Sequence, residues 1–288
     1  MGMYDEEERL GDYIHERTRM ILQKRPLVKK PMINRPVSKG LDIQHSTGQV
    51  SIFKTTWMIM GLPGSGKSTL ASGFEGCLFL CTSEKEVGSL KVPYLLIDSW
   101  EKVLSIADEL INNRPKYSEY KFLVIDFVDA LWTMAAIAVC EKLGVAHQTD
   151  TQWGKGSDTL DNYFKKFITS LIASDYGIIF ISHVIQKEVV TTGGMVTKTI
   201  CSLPQRARNL LLPLINVIGC IDFKSIKQLN VTTGKTEIIR KRVISFSGSE
   251  YIEAKDRDGV LPAEMILVKD SKKNFELIKS YYDRTIVR

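Results

Sequence analysis

The sequence has little of what small or membrane-embedded proteins use for stability. Its 288 residues include five cysteines and four histidines, and none of them shows the spacing of a zinc site. The longest apolar segment, 130–140, has eleven residues, which is too short to cross a bilayer. The first ten positions carry four acidic residues and no apolar run, so we expect no secretory signal. We therefore predict a cytoplasmic protein with free thiols that folds without disulfides, a structural metal or a membrane.

The basic charge of the chain is modest on average but concentrated locally. The formal net charge is +6, which permits a polyanionic partner without requiring one. Residues 22–39 contain six basic residues, three prolines and no acids, and an acidic, helix-like stretch precedes them. Because proline lacks a backbone donor, we expect 22–39 to be extended, either as a solvated linker or as a basic arm that touches nucleic acid or a neighbouring subunit. Further basic patches lie at 224–242 and 255–257.

From Thr55 onward, short apolar runs alternate with amphipathic segments. The runs are typical of buried parallel strands, and they cover 57–60, 77–81, 94–97, 121–126 and 177–184. Helices are predicted between most of them, at 68–74, 99–112, 129–143 and 158–174. Ser99 and Asp158 are the expected N-caps. This alternation predicts an α/β fold with a mostly parallel central sheet covered by helices on both faces.

The pattern changes after Ile185, where two β-hairpins are predicted. Residues 188–200 contain Gly193 and Gly194, which would supply the positive φ of a tight turn. Residues 229–247 show a second hairpin pattern. We expect this hairpin-rich C-terminal part to extend the sheet.

One segment matches a phosphate-binding pattern. Residues 61–68, G-L-P-G-S-G-K-S, fit G-x-x-x-x-G-K-[ST] and lie between a predicted strand and a predicted helix. Glycines let such a loop turn its backbone N–H groups inward and form an anion-binding nest. Lys67 would reach the β- and γ-phosphates of a nucleotide, and the Ser68 hydroxyl would bind Mg²⁺. The segment predicts an ATP and Mg²⁺ site formed by Gly61, Gly64, Ser65, Gly66, Lys67, Ser68 and Thr69.

A P-loop needs an acid for the metal, and Asp126 has the expected context. It ends the apolar run 122–125, which is the form of a Walker B strand. Because such an acid lies at a strand tip beside the loop, Asp126 would hold Mg²⁺ together with Ser68. Asp129, one helical turn further on, is the alternative.

Two more polar positions follow predicted strands at the same edge of the sheet. Glu84 comes after the second strand, where a residue that orients the attacking water is expected, and Glu86 is its competitor. His183 ends the fifth strand and is suited to sense a γ-phosphate. We expect both strand ends to face the nucleotide.

The order of these motifs resembles a RecA-type core. More closely, the chain is similar to the minimal RecA-like ATPases of bacteriophages, the Sak-four group of single-strand annealing recombinases. The motifs that carry the resemblance are the P-loop, T-S-E at 82–84, the Walker B strand, I-F-I-S-H-V at 179–184 and K-D-R-D-G-V-L-P at 255–262. The resemblance covers about residues 50–265 and implies a RecA-like P-loop NTPase fold. Thr82 stands where the family usually has an acid.

The resemblance also implies roles for individual residues. Glu84 would be the catalytic glutamate, and His183 would couple the γ-phosphate to DNA. Residues 187–204 would form a DNA-facing mobile loop in which the hairpin tip and two lysines, Lys187 and Lys198, meet the phosphate backbone. Lys255 and Arg257 would be basic fingers that a neighbouring subunit inserts at the γ-phosphate, with a solvated pair at a strand end as the alternative.

Together, these features predict a Mg²⁺-dependent, DNA-stimulated ATPase that forms a nucleotide-bridged ring or filament on single-stranded DNA. It would serve phage recombination or annealing in a bacterial cytoplasm, with a single-strand DNA-binding protein as a further partner. The ATPase core would span 51–268, between an N-terminal extension (1–50) and a C-terminal tail (269–288). Two alternatives stay open: a P-loop nucleoside or polynucleotide kinase with Arg206 and Arg208 as lid arginines, and a nucleotide-locked DNA-binding scaffold with negligible turnover.

Overall fold

The fold comes from a computed structural model that describes residues 48–229 and 236–285. Nearly all of the extension expected at 1–50 lies outside the described residues. The strands are β1 (Thr56–Gly61), β2 (Cys77–Cys81), β3 (Tyr94–Leu96), β4 (Phe122–Asp126), β5 (Gly177–Ser182), β6 (Val184–Thr191), β7 (Gly194–Cys201), β8 (Val217–Leu229), β9 (Thr236–Ser245), β10 (Lys255–Asp256) and β11 (Glu264–Ile266). The α-helices are α1 (Lys67–Ala71), α2 (Glu84–Val87), α3 (Trp100–Asn112), α4 (Val128–Leu143), α5 (Lys155–Ile172), α6 (Gln205–Leu211) and α7 (Ser271–Thr285). Within these ranges, no helix has the length and apolar character needed to cross a membrane.

Nine of the described strands form one sheet. Eight of them follow the order β11-β9-β8-β1-β5-β4-β2-β3, and β10 pairs with the start of β8. The strands from β8 to β3 run parallel to their neighbours, whereas β9, β10 and β11 pair antiparallel. The predicted α/β fold with a mostly parallel central sheet is therefore confirmed, and β1 lies in its middle.

Both faces of the sheet are covered by helices, as predicted. Every residue of β1 is buried, and alternate side chains point to opposite faces because the period of a strand is two. Met58 and Met60 enter a core shared with helices α3 to α6. Trp57 and Ile59 enter a second core shared with α1, α2 and α7. A strand buried on both sides needs a continuous apolar run, which is the pattern that the sequence shows.

Of the two predicted helix caps, one is confirmed and one is wrong. The Ser99 hydroxyl accepts a hydrogen bond from the backbone N–H of Lys102 at 3.3 Å and caps α3. Asp158 does not cap α5, because that helix begins three residues earlier, after Gly154 with φ 71°. Asp158 lies in the first turn instead, and its carboxylate pairs with Arg206.

The first predicted hairpin is present, but it does not extend the central sheet. Strands β6 and β7 form a separate two-stranded sheet, and Thr192 and Gly193 connect them. Of the two glycines in the turn, only Gly194 has a positive φ, of 119°. Near the tip, Val190 is 83% and Met195 68% exposed. The second hairpin, β8 and β9, does extend the central sheet, as expected.

The segment that sequence analysis assigned to a tail, 269–288, contains a helix that belongs to the second core. Helix α7 buries Phe275 and Tyr282 there. Its first residue, Ser271, lies so close to Gly73 that a Cβ on the glycine would clash with the serine carbonyl. Because Gly73 directly follows the turn that ends α1, the C-terminal helix supports the helix after the phosphate loop.

Replacing Gly73 with alanine is expected to lower the free energy of unfolding by about 1–3 kcal/mol, because the added methyl group would push α7 away from α1. Urea denaturation measures this change. Gly193→Ala is the matched control, since a Cβ there meets nothing closer than 3.8 Å. Equal stability of the two variants would contradict this account of the packing.

Candidate nucleotide-binding site

The predicted site residues gather at the edge of the sheet where the parallel strands end. β1 runs into the loop 61–66, and α1 begins directly after it. Asp126, at the end of β4, lies opposite Cys81 of β2, and Ser182, at the end of β5, lies opposite Met60 of β1. The strand–loop–helix context that sequence analysis required of a P-loop is therefore present.

The loop has the geometry of an anion-binding nest. Gly64 and Gly66 have φ values of 74° and 92°, in the left-handed region that favours glycine. Ser65 is 1% exposed, and its hydroxyl has no hydrogen-bond partner among the described residues. An unpaired buried hydroxyl inside such a loop is suited to a phosphate oxygen. Thr69, the last of the predicted nucleotide ligands, lies exposed on α1.

Lys67 holds its positive charge at the mouth of this loop. Only 4% of the residue is exposed, and Nζ donates hydrogen bonds to the carbonyls of Gly61 (2.9 Å) and Leu62 (3.0 Å). Nζ also lies 3.4 Å from Nδ1 of His183. Burial lowers the pKa of Lys67, and nearby carboxylates, chiefly that of Asp126, oppose this effect.

Ser68 and Asp126 provide a pair of oxygen atoms beside Lys67. The Ser68 hydroxyl donates to Oδ2 of Asp126 at 2.6 Å. Asp126 is fully buried, and its Oδ1 lacks a partner among the described residues. Burial raises the pKa of Asp126 to about 6, while the hydrogen bond from Ser68 acts in the opposite direction. These oxygens fit Mg²⁺, which prefers carboxylate, hydroxyl and phosphate ligands, and Asp126 rather than Asp129 occupies the position beside Ser68.

Glu84 and Glu86 lie on the short helix α2, which follows β2 at the same edge. The Glu86 carboxylate caps this helix by accepting hydrogen bonds from the Thr82 N–H (3.0 Å), the Thr82 hydroxyl (2.7 Å) and the Ser83 N–H (3.4 Å). Glu84 is exposed and accepts a hydrogen bond from the Tyr94 hydroxyl at 3.1 Å. Glu86 is thus engaged by the local fold, although its charge also raises the pKa of Asp126.

Asp129 joins the nucleotide edge to the β6–β7 hairpin. Its carboxylate accepts hydrogen bonds from the hydroxyls of Ser182 (3.0 Å) and Ser202 (2.6 Å). Ser182 ends β5, and Ser202 follows β7. The Ser202 N–H also donates to the His183 carbonyl at 2.9 Å. One carboxylate on α4 therefore fixes both ends of the hairpin to the strand that runs beside β1.

His183 lies between the loop lysine and an aromatic ring. Its imidazole stacks on Phe127, with ring centroids 4.4 Å apart, and Phe127 directly follows Asp126. Burial lowers the pKa of His183, and the charge of Lys67 lowers it further. A neutral imidazole in this position can accept a hydrogen bond from Lys67. The ring would shift if Lys67 moved.

The two lysines predicted to contact DNA lie opposite each other in the hairpin. Lys187 on β6 pairs with Lys198 on β7, so both side chains lie on one face of the ribbon. Lys187 Nζ also lies 3.4 Å from Oε1 of Gln205 on α6. Because like charges in directly opposed positions repel, an anion bound near both lysines would be stabilised.

Lys255 and Arg257 lie toward the end of β8 that is away from the phosphate loop of the same chain. Lys255 of β10 pairs with Ile218 near the start of β8, whereas the loop follows Gly61, which pairs with Ile221. Lys255 Nζ donates to the carbonyl of Leu212 at 3.1 Å, and Arg257 donates to the carbonyl of Pro213. Burial lowers the pKa of Lys255, and the neighbouring Arg257 lowers it further.

Sequence analysis missed three residues of this region: Phe127, Ser202 and Arg242. Phe127 is adjacent to Asp126, so its position in the chain was a usable signal. Arg242, on β9, has its guanidinium beside the loop: a Cβ placed on Gly66 would lie 2.8 Å from Nη1. Ser202 follows the hairpin that the sequence predicted, so its approach to His183 could have been inferred from that pairing. Arg242 comes to the site only through the pairing of β9 with β8, whose register the sequence does not reveal.

Comparison with known proteins gives one family and a distant structural likeness. A family model described as "AAA domain" matches residues 54–258. No curated protein matches the sequence. Among solved structures, a KaiC-like protein from the hyperthermophilic archaeon Pyrococcus horikoshii OT3 is similar at 13% identity, with 67% of this chain and 77% of that chain covered and a TM-score of 0.36.

Removing the buried charge of Asp126 is expected to stabilise the nucleotide-free protein. Burial raises the pKa of the folded state from 3.8 to about 6, so the ionised carboxylate disfavours folding above about pH 6, and this penalty vanishes as the pH falls toward about 4. In EDTA, Asp126→Asn should therefore unfold at a higher temperature than the parent near pH 8, by a free energy of at most about 3 kcal/mol. The gap should close between about pH 6 and pH 4.

Thermal unfolding across this pH range measures the effect. Asp98→Asn is the control, because the Asp98 side chain is 71% exposed. A stability difference for Asp126→Asn that does not change with pH would rule out the buried charge as its cause.

Proposed function

Since the chain belongs to the AAA domain family and has the fold of a P-loop ATPase, we propose that it hydrolyses ATP with Mg²⁺ and couples hydrolysis to single-stranded DNA. The observation that carries the proposal is the Asp129 carboxylate, which receives hydrogen bonds from both the nucleotide edge and the base of the hairpin. A two-state element that touches both sites is the physical requirement for coupling them.

Different residues of the loop would bind different parts of the nucleotide. The backbone N–H groups of the nest and the Ser65 hydroxyl would donate hydrogen bonds to phosphate oxygens, and the positive charge of Lys67 would neutralise the terminal phosphates. Ser68 and Asp126 would hold Mg²⁺, which would supply positive charge to the phosphates. Their oxygens are suited to this, since the Ser68 hydroxyl lies 2.6 Å from Oδ2 of Asp126, and Oδ1 has no hydrogen-bond partner among the described residues.

Glu84 is the residue that we propose orients the attacking water. Its competitor, Glu86, accepts three hydrogen bonds that cap α2, so turning toward a water would uncap the helix. Glu84 has a simpler environment, since it is exposed and accepts from the Tyr94 hydroxyl. An exposed base works best when a neighbouring surface excludes bulk water, which agrees with a site completed by a second subunit.

The β6–β7 hairpin supplies the proposed DNA contact. Lys187 and Lys198 offer two positive charges on one face, and the exposed Val190 and Met195 offer apolar surface at the tip. Phosphates of a flexible single strand suit such a narrow, basic ribbon. His183, which precedes the hairpin and lies 3.4 Å from Lys67, would transmit the state of the γ-phosphate to the ribbon.

Self-assembly into a nucleotide-bridged ring or filament is part of the proposal. Lys255 and Arg257 lie toward the end of β8 that is away from the chain's own loop, so they suit the nucleotide of a neighbouring subunit. Each would exchange a hydrogen bond to a backbone carbonyl for one to a phosphate, which is the stronger acceptor. The resemblance of the motifs to phage annealing recombinases supports a role in recombination or annealing, with a single-strand DNA-binding protein as a further partner.

A kinase function has less support from the same residues. A lid needs arginines that are free to close over phosphates. Arg206 pairs with Asp158 and Asp161, and Arg208 pairs with Glu253 in a largely buried ion pair. Breaking a buried pair is costly because it leaves an uncompensated charge, so Arg208 in particular suits a structural role.

Phosphate release from ATP is expected to rise when single-stranded DNA is added and to be lost in Lys67→Ala. The lysine neutralises the phosphates, so its removal should lower kcat/KM by at least about a hundredfold, by analogy with the loss of other transition-state charge partners. Phosphate release with and without DNA, with sizing of the complex in each state, measures both effects.

Lys165→Ala is the matched control, because that lysine is exposed on α5, which contributes no residue to the proposed nucleotide site. Turnover that DNA leaves unchanged would remove the DNA coupling from the proposal. Negligible turnover by the parent, together with tight ATP binding, would favour the nucleotide-locked scaffold. Transfer of γ-phosphate to a nucleoside or a DNA end would favour the kinase.

Reversing the charges of the hairpin pair, in Lys187→Glu with Lys198→Glu, is expected to weaken single-stranded DNA binding and its salt dependence. Each lost phosphate contact lowers the slope of log K against log salt by about 0.7, so the double variant should lose about 1.4. Fluorescence anisotropy at several salt concentrations measures the slope. Lys165→Glu with Lys166→Glu, exposed on α5, applies the same charge change elsewhere. Equal losses in the two double variants would show a general charge effect and contradict a contact at the hairpin.

A further inference from the structure

The β8–β9 ribbon continues past the end of β1 and stands beside the phosphate loop. The last residue of β1, Gly61, pairs with Ile221, whereas β8 runs on to Leu229. Two positions beyond Ile221, Phe223 pairs with Arg242 of β9. Side chains on one face of this projecting ribbon therefore reach the loop from the side opposite β5.

Arg242 makes the closest approach to the loop. A Cβ built on Gly66 would lie 2.8 Å from Nη1 and 2.9 Å from Cζ of the guanidinium. On the same ribbon, Cζ lies 5.5 Å from the centroid of the Phe223 ring, which limits where the guanidinium can go. Glycine at position 66 thus serves two purposes, since it allows a φ of 92° and leaves room for the arginine.

No carboxylate pairs with Arg242 among the side chains that the structure describes. Within the same set, its Nε is buried without a hydrogen-bond partner. Arg206 and Arg208, by contrast, are paired with carboxylates. A guanidinium that is partly removed from water is stabilised by a hydrogen bond to an anion, and the neighbouring loop is suited to bind one.

We propose that Arg242 contacts the nucleotide bound at the phosphate loop of its own chain. It would contact the α- and β-phosphates, which ADP shares with ATP. Asp126 and His183 lie on the β4 and β5 side of β1, where the γ-phosphate is cleaved in the proposed function. Arg242 approaches from the β8 and β9 side, so it contacts the α- and β-phosphates rather than the γ-phosphate. The inference rests on the proposed nucleotide site but adds a ligand that the P-loop motif does not contain.

The position of the contact determines which kinetic constant it affects. An interaction made equally with ATP, ADP and the transition state changes affinity and leaves kcat unchanged. Arg242 would therefore tighten both ATP and ADP. If Arg242 only braced the loop, its removal would displace Lys67 and Ser68, and kcat would fall as well.

The test compares Arg242→Ala, Arg242→Lys and Arg240→Ala by calorimetric titration with ADP and by ATPase kinetics. Arg240 is the matched control, because its Cζ lies 4.6 Å from the same Phe223 ring, but it is two residue pairs further along the ribbon from the loop. We expect Arg242→Ala to weaken ADP binding and to raise KM by about tenfold to a hundredfold, with kcat within about twofold. Arg242→Lys should recover part of the affinity because it keeps the charge, and Arg240→Ala should resemble the parent.

Lys67→Ala separates failure of this inference from failure of the proposed function. If Lys67→Ala loses ADP affinity while Arg242→Ala binds like the parent, the Arg242 contact is wrong and the nucleotide site stands. If Lys67→Ala also binds ADP like the parent, the proposed nucleotide site itself is wrong. Equal losses in Arg242→Ala and Arg240→Ala, or a kcat in Arg242→Ala that falls as much as kcat/KM, would overturn the contact. Unfolding temperatures without nucleotide verify that each variant is folded.

Discussion

The site depends on two opposite charges, Lys67 and Asp126, that the sheet holds in its interior. Removing such groups from water is costly unless each finds partners. The loop carbonyls satisfy Lys67, but Oδ1 of Asp126 has no partner among the described residues, and the pKa of Asp126 is raised to about 6. The charges at this edge are therefore only partly balanced. The proposed ligand, a nucleotide with a divalent cation, would complete them.

A second acid, on the helix that follows the strand of Asp126, connects this arrangement to the hairpin. Asp129 lies one turn after the Walker B strand and joins two hydroxyls from different strands. One of them precedes His183, which contacts Lys67, and the other closes the hairpin. This polar network is partly buried, so the loss of one member would leave the other groups with fewer partners. The proposed nucleotide site and the exposed β6–β7 hairpin are thus joined by one set of hydrogen bonds.

The sequence predicted those parts of the molecule whose signals are local. The P-loop pattern, the apolar strands and the Ser99 cap each occupy a few consecutive residues, so composition and spacing were enough. Three outcomes depended on distant contacts and were not predicted. Helix α7 packs against α1, the β6–β7 hairpin leaves the central sheet, and Arg242 reaches Gly66 only through the pairing of β8 with β9. Strand register decides the position of Arg242, and helix packing decides that of α7; a single sequence reveals neither across long separations.

The central position of β1 also has a consequence for how the protein is made. Its two neighbours enter the sheet much later in the chain, through pairs such as Thr56 with Ile178 and Trp57 with Val217. Chains leave the ribosome from the N-terminus, so one edge of the strand that carries the phosphate loop stays open until β5 emerges, and the other stays open until β8 emerges. Non-local parallel pairing is slow to form, and an apolar strand with open edges is prone to associate with other chains. During synthesis β1 is therefore open to association with other chains until both neighbours have emerged, and a chain truncated before Val217 would lack the strand that flanks β1 on this side of the phosphate loop.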